Sequence, residues 1–325
     1  MQETSMKLQK IIVATAIALG FTASAQANDF PVKPIKIIVP WAPGGATDVI
    51  ARVLGQRLSE SVGQPVVIEN KAGAGGNIGT GAFVQEASDG HSLLMGTSST
   101  NAINPSLYKT LPFNPKADFS PIILVATVPN VLVVPTNSKF KSVDELVAFA
   151  KANPGKLTVG SAGNGSSQHI AGAMLLKSAG ISLTHVPYKG SGPAAADLMA
   201  GHIDLMLDTG SMNHIKGGKL KALAIASNKR IDGLPEVPTF EELGYKDMNA
   251  AAWYALYASS KTPDAQAQKL NAELNKILKQ PEVKQRLTDF GAIVNGGSTK
   301  ELGDFTVSET ARYKVLIDEA KIAIE

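Results

Sequence analysis

Pro34-Ile35-Lys36-Ile37-Ile38-Val39-Pro40-Trp41-Ala42-Pro43-Gly44-Gly45-Ala46-Thr47-Asp48 is the stretch that decides the fold. Ile35–Val39 is a short apolar run and predicts a strand. Trp41 to Gly45 is turn chemistry, with proline and glycine as breakers. Thr47–Val62 then carries apolar residues at Val49, Ile50, Val53, Leu54 and Leu58, the spacing of a helix with one buried face. A strand that turns through glycines directly into a helix is the unit of a doubly wound α/β sheet.

Outward from this unit the alternation continues. Further strands are predicted at Val66–Glu69, Ser92–Gly96, Ile122–Val134, Leu157–Gly160, Leu183–Val186, Ile203–Leu207, Leu220–Ala226 and Trp253–Ala258. Ser142-Val143-Asp144-Glu145, Thr239-Phe240-Glu241-Glu242 and Ser298-Thr299-Lys300-Glu301 fit the capping box, in which hydroxyl and carboxylate satisfy the orphan amides of a helix start. Thr262-Pro263 sets a cap and a first-turn proline before a helix over Asp264–Gln280. Such alternation predicts parallel sheets. Ile122–Val134 is too long for one ordinary strand and breaks at Pro129-Asn130, and Asn249–Ala258 is a second long apolar run. If both are crossovers, residues 28–127 plus 254–325 form one domain and 128–253 the other, with two linkers as a hinge.

Lys7 and Lys10, the apolar run Ile11 to Phe21 and the small residues Ala25-Gln26-Ala27 make the three parts of a secretory signal peptide, expected over residues 1–27, with Met6 as an alternative start. The run is about eleven residues, too short for the roughly 20 that span a bilayer. Cutting after Ala27 leaves 298 of the 325 residues, enough for two domains. There is no cysteine, which excludes disulfides, thiolate nucleophiles and cysteine-held metal. The formal charge of +3 comes without any run of five like charges, so nucleic acid is not an expected partner.

The glycine turns are the candidate site. Gly44, Gly45, Thr47 and Asp48 open the first helix, and Asn164, Gly165, Ser166, Ser167 and His169 open another after Leu157–Ser161. In doubly wound sheets ligands bind beyond the carboxyl ends of strands, where helix N-termini present free amides that suit an anion. Either turn alone is equally explained by ordinary capping; one in each proposed domain, facing across a cleft, makes a site. Lys71-Ala72-Gly73-Ala74-Gly75-Gly76-Asn77-Ile78-Gly79 misses the dinucleotide fingerprint, because Ile78 stands in place of its third glycine. Thr97-Ser98-Ser99-Thr100-Asn101 offers hydroxyls, Ser98 among them. Trp41, Tyr188 and Trp253 stand at turn or hinge positions suited to stacking on a ligand or to hinge packing. Asp208 ends a strand on the same rim. There is no G-x-S-x-G, H-E-x-x-H or P-loop, and the histidines at 91, 169, 185, 202 and 214 lack metal spacing, so neither cofactor nor metal is expected.

Residues 34–48 and 69–79, Ala102-Ile103-Asn104-Pro105-Ser106-Leu107-Tyr108, residues 160–169, His185-Val186-Pro187-Tyr188-Lys189-Gly190 and Asp204-Leu205-Met206-Leu207-Asp208 together resemble the tripartite tricarboxylate transporter substrate-binding family, also called Bug receptors. The resemblance covers essentially the whole mature chain. It implies a periplasmic Venus-flytrap fold of two doubly wound domains. It also implies a small carboxylate ligand (a di- or tricarboxylate, acidic amino acid or aromatic acid) held by amides, hydroxyls and water. The implied partner is an ion-driven permease of one large and one small membrane subunit; a monomer is expected. Thr209-Gly210-Ser211 departs from the Asp-Asn pair expected at Asp208 and the next position, which alters the side-chain contacts there. Two other readings stay open: a ligand sensor of the same fold, and a periplasmic enzyme using Asp48, Asp208 and His169.

Overall fold

A computed structural model describes residues 30–86, 88–320 and 322; the expected signal peptide lies outside them. The first unit folds as its pattern dictates. Strand β1 (Ile35–Val39) enters helix α1 (Ala46–Val62), which ends on Gly63 in the left-handed conformation. Strands β2 (Val66–Asn70) and β3 (Ser92–Thr97) pair with β1 in parallel. Between them lies α2 (Asn77–Val84), and after β3 a π-helical turn (Ser99–Ile103) runs into α3 (Asn104–Leu107).

Strand β4 (Phe119–Pro129) then runs almost directly into β5 (Val131–Pro135), so the long apolar run is two strands in two sheets. The break has a clear cause. Pro129 has no N–H to continue a ladder, and Asn130 turns both its backbone N–H and its Nδ2 to the Ala250 carbonyl, each at 2.9 Å. Ala250 N–H in turn donates to Ala226, and Ala226 N–H to Asn130, which ties the crossing strands together.

The chain continues through α4 (Val143–Ala152), β6 (Thr158–Ser161), α5 (Ser167–Ala179), β7 (Thr184–Pro187), α6 (Ser191–Ala200), β8 (Leu205–Asp208), α7 (Met212–Lys216) and β9 (Leu220–Ile225). It recrosses as β10 (Ala251–Ser259) and closes with α8 (Asp264–Leu278), α9 (Pro281–Asp289), β11 (Ile293–Val294) and α10 (Thr299–Ala320). Two sheets result, ordered β11-β4-β10-β3-β1-β2 and β7-β6-β8-β5-β9.

Each sheet is covered on both faces. Ile37 points to a core with Ile50, Leu54 and Leu274, while its neighbour Ile38 points to the opposite core with Phe83, Trp253 and Tyr313. The second sheet repeats this, with Leu132 and Leu207 on one face and Val133 and Met206 on the other. This is the two-domain α/β architecture expected, with one difference. The sheets are mixed, because β10 and β11 in one and β5 in the other run antiparallel to their neighbours. A strand that enters a sheet from a crossover has no βα unit of its own to set its direction.

The capping boxes also differ in outcome. Ser142 and Ser298 accept from Glu145 and Glu301 amides at helix starts. Thr239 and Glu242 make the same reciprocal bonds, 3.1 and 2.7 Å, around a turn that never becomes a helix. Gly244, with φ of +84°, follows at once.

Candidate functional site

A small cavity lies between the two lobes where three helices begin. Gly45, Ala46 and Thr47 bring the start of α1, Ser167 and Gln168 that of α5, and Ser191 that of α6. Trp41, Thr97, Ser99, Ala162, Thr209, Ala252 and Tyr254 complete the wall. Among the described residues, no charged side chain and no histidine lines it. The enclosed space is about 20 Å³, room for about one water.

The lobes are closed on each other. Ser167 N–H donates to Ser99 Oγ (3.2 Å), Ala42 N–H to the Lys189 carbonyl (3.3 Å) and Tyr108 Oη to the Asn164 carbonyl (2.9 Å). Tyr254 and Thr209 hydroxyls share a 2.9 Å bond across the cleft. Burial pushes the Tyr254 phenol well up, so it stays a neutral hydroxyl.

The three helix starts are not equivalent. Those of α1 and α6 have glycine caps (Gly45, Gly190) and no side-chain cap bond, which leaves their first amides to the cavity. At α5, Ser166 Oγ accepts from His169 N–H and Ser99 accepts from Ser167 N–H, so two of its amides are already engaged. Trp41 adds a further donor, since its indole N–H is buried without a partner among the described residues.

Asp208 organises the site from beneath. It is buried, and it accepts from Ser191 Oγ and Ser211 Oγ, both at 2.5 Å, and from Gln168 Nε2 at 3.2 Å. Two of those donors line the cavity, so one carboxylate fixes side chains from α5 and α6. Asp48 does the same for the first turn, accepting from Gly44 N–H (3.1 Å), Asn70 Nδ2 (3.0 Å) and Arg52 Nε (3.0 Å). Burial works against charge on Asp48, but Arg52, the Gly44 amide and Asn70 together hold its carboxyl below the usual range.

Comparison with known proteins shows the family. Residues 50–322 match the model of the tripartite tricarboxylate transporter family receptor. The chain belongs to that receptor family. BugT of Bordetella pertussis is 38% identical over 312 residues, covering 95% of each chain. Among solved structures, the periplasmic binding protein BugD superposes with a TM-score of 0.87 at 34% identity, over 91% of this chain and all of that one. MatC from Rhodopseudomonas palustris, determined with bound malate, gives 0.84 at 32% identity over 89% of this chain and all of that one.

In this family receptor the residues singled out from sequence fall into three groups. Trp41, Gly45, Thr47 and Ser167 line the cavity. Gly44, Asp48, Gly165, Ser166, Asn164 and Asp208 stand behind or beside the lining and hold it in place. Ser98, Tyr188 and His169 face elsewhere. Ser98 lies fully buried beside Tyr313, and Tyr188, just after β7, donates to Asp197 of α6 (2.7 Å). His169 accepts from Gly165 N–H (3.3 Å) and stacks on His185 at 4.4 Å. Burial, then the neighbouring His185, lower its pKa to about 4, so it is neutral. Trp253 is core, its Nε1 donating to Glu309 (3.1 Å). Asp48, Asp208 and His169 share no partner, and none of them lines the cavity. The polar cavity residues that sequence reasoning did not single out are Thr97, Ser99, Gln168, Ser191, Thr209 and Tyr254. Thr97 and Ser99 lie in the hydroxyl-rich segment beside Ser98, and Ser191 stands in Gly190-Ser191-Gly192, a third glycine turn into a helix.

Proposed function

We propose that this chain is an exported periplasmic receptor, not an enzyme. It captures a small organic carboxylate between its lobes and delivers it to a membrane permease of the tripartite tricarboxylate type. The observation that carries this reading is the meeting of two uncapped helix starts, α1 and α6, in a cavity without a single charged side chain. Two positive helix ends facing each other repel unless an anion lies between them. A carboxylate placed there replaces its water shell with amides and hydroxyls, each charged hydrogen bond contributing about 1.5–3 kcal/mol. A few such bonds reach the roughly 8.2 kcal/mol of micromolar binding.

The malate held by MatC supports a carboxylate of this size. We take residues 28–127 plus 254–325 and residues 128–253 as the moving lobes, with the hinge at the two crossings near Thr127–Pro129 and Ala252–Tyr254, where few residues absorb the rotation. Neutral donors also leave no ion pair to break when the ligand is handed on.

A melting-shift screen against mono-, di-, tri- and aromatic carboxylates tests the proposal. A ligand at 100 times its Kd stabilises the fold by about 2.7 kcal/mol. Stabilisation by at least one carboxylate, with compaction in solution scattering and release of unchanged ligand, is expected. No response across all four classes, or turnover of the ligand, defeats it.

A further inference from the structure

Behind the cleft the space between the lobes widens into a surface groove of about 490 Å³. Lys229, Arg230 and Ile231, which follow β9, form one wall, and Lys284 on α9 with Ile293 on β11 forms the other. The floor is apolar, and Ile293 remains 46% exposed, one of few large apolar side chains left in solvent. Arg230 is held by Glu242 at 3.0 Å. The Lys229 and Lys284 side chains are exposed, and neither ammonium group has a hydrogen-bond or ion-pair partner among the described residues. Asp232 is the one carboxylate on the groove wall. An apolar floor under two unpaired ammonium groups suits a segment that carries both apolar side chains and carboxylates.

The groove is also coupled to the cleft. Ser211, bonded to Asp208, starts α7, whose Met212 packs against Gly233 and Gly291 on opposite walls. Lys216, at the end of α7, donates to the Asp289 carbonyl of α9 at 2.8 Å. One short helix therefore joins the ligand cavity to the wall of the groove, and the two walls of the groove come from different lobes.

We propose that this groove docks an acidic, partly apolar segment of the membrane permease and that it distinguishes the closed receptor from the open one. This rests on the receptor reading above. A partner that prefers the closed form must stabilise it by the same factor, since such coupling is reciprocal.

The probe is a fluorescein-labelled ten-residue peptide of alternating glutamate and leucine, followed by anisotropy on the purified protein. Lys229→Glu with Lys284→Glu is expected to weaken binding at least tenfold. Lys151→Glu with Lys156→Glu, exposed lysines elsewhere on the lobe that carries Lys229, is expected to change it less than twofold. Closure is controlled without ligand by Gly45→Cys with Ser191→Cys: a Cβ at 45 would lie 3.2 Å from that of Ser191, close to the ~3.8 Å of a disulfide. The chain has no other cysteine. The oxidised, locked protein is expected to bind the peptide at least fivefold tighter than the reduced one. Equal binding by wild type and Lys229→Glu/Lys284→Glu overturns the site, whether or not the lock forms. Equal loss in the Lys151/Lys156 variant overturns it too, and equal binding by locked and reduced protein overturns the dependence on closure. None of these arms needs a small-molecule ligand in the cleft, so a failed melting screen and a failed groove are told apart.

Discussion

Gly45 and Ser191 meet across the cleft so closely that a Cβ added to Gly45 would lie 3.2 Å from the Ser191 Cβ. One residue caps α1 and the other begins α6, so the contact marks where the lobes touch. Gly45 has φ −85° and ψ 174°, a conformation open to any residue, so valine there strains nothing within its own lobe. Its larger cost appears on closure. Overpacking typically costs 1–3 kcal/mol, so Gly45→Val is expected to weaken carboxylate binding by roughly 5- to 150-fold, with only a small loss of stability in the unliganded protein because valine is a poorer helix cap than glycine. Calorimetric titration with a carboxylate taken from the screen checks this. Wild-type affinity would mean that ligand is held without this contact.

Ser166 and Ser167 are neighbours with separate tasks. Ser166 Oγ caps α5, whereas Ser167 lines the cavity and its hydroxyl donates to Gln168 Oε1 at 3.1 Å. Loss of a serine cap costs about 1 kcal/mol, so Ser166→Ala is expected to lower stability with less than a threefold change in affinity. Ser167→Ala is expected to do the reverse, weakening binding roughly tenfold at unchanged stability. Lys189→Ala should do neither, because Lys189 contributes only its carbonyl, to Ala42. A Lys189→Ala protein that no longer binds would show that the anion needs a cation after all.

What the sequence disclosed and what it hid follow from the range of the interactions involved. The Trp41–Thr47 turn was legible because strand, glycines and helix pattern are contiguous, and four of its residues line the cavity. Ser191 belongs to an equally open helix start, yet Gly190 offers no side-chain cap to announce it. Its place opposite Gly45 depends on lobe closure, a contact between residues far apart in the chain. Ser98 was chosen where Ser99 faces the cleft, a slip of one residue at the entry to a π-helical turn, whose side-chain directions a periodicity of 2 or 3.6 does not predict. Tyr254 reaches the cavity because β10 inserts antiparallel between β3 and β4, and no local signal sets a crossover strand's neighbours.

Stability should fall in mildly acidic solution through His169. The unfolded chain binds a proton on this residue below about pH 6.5, whereas burial and His185 delay protonation in the folded protein until about pH 4. Between those values the unfolded state holds more protons, so stability rises with pH and is lost as pH drops through this window. The loss from this one group is up to about 3 kcal/mol. Protonation would also remove the acceptor that Gly165 N–H uses. Urea unfolding at pH 7 and pH 4.5 is expected to show a smaller drop for His169→Asn than for wild type. Equal drops would place the acid sensitivity elsewhere.

Asp208 is the residue whose loss should damage fold and site together. Three buried donors depend on it, the hydroxyls of Ser191 and Ser211 and the amide of Gln168. An unsatisfied buried donor costs about 1–3 kcal/mol, although a hydroxyl is free to rotate toward another acceptor. Asp208→Ala is therefore expected to lose about 2–4 kcal/mol of stability, and to weaken ligand binding because Ser191 and Gln168 lose their fixed orientation on the cavity wall. Asp208→Asn separates geometry from charge. Its carbonyl can still accept from Ser191 and Gln168, and its amide can donate to Ser211, whose hydroxyl turns to accept. If Asp208 acts by positioning, asparagine restores most of the stability and at least a third of the affinity. The buried negative charge also opposes an anionic ligand nearby, so removing it adds no penalty of its own. An asparagine variant as defective as alanine in both unfolding and titration would show that the charge itself is required, and that the carboxylate does more than hold three side chains in place.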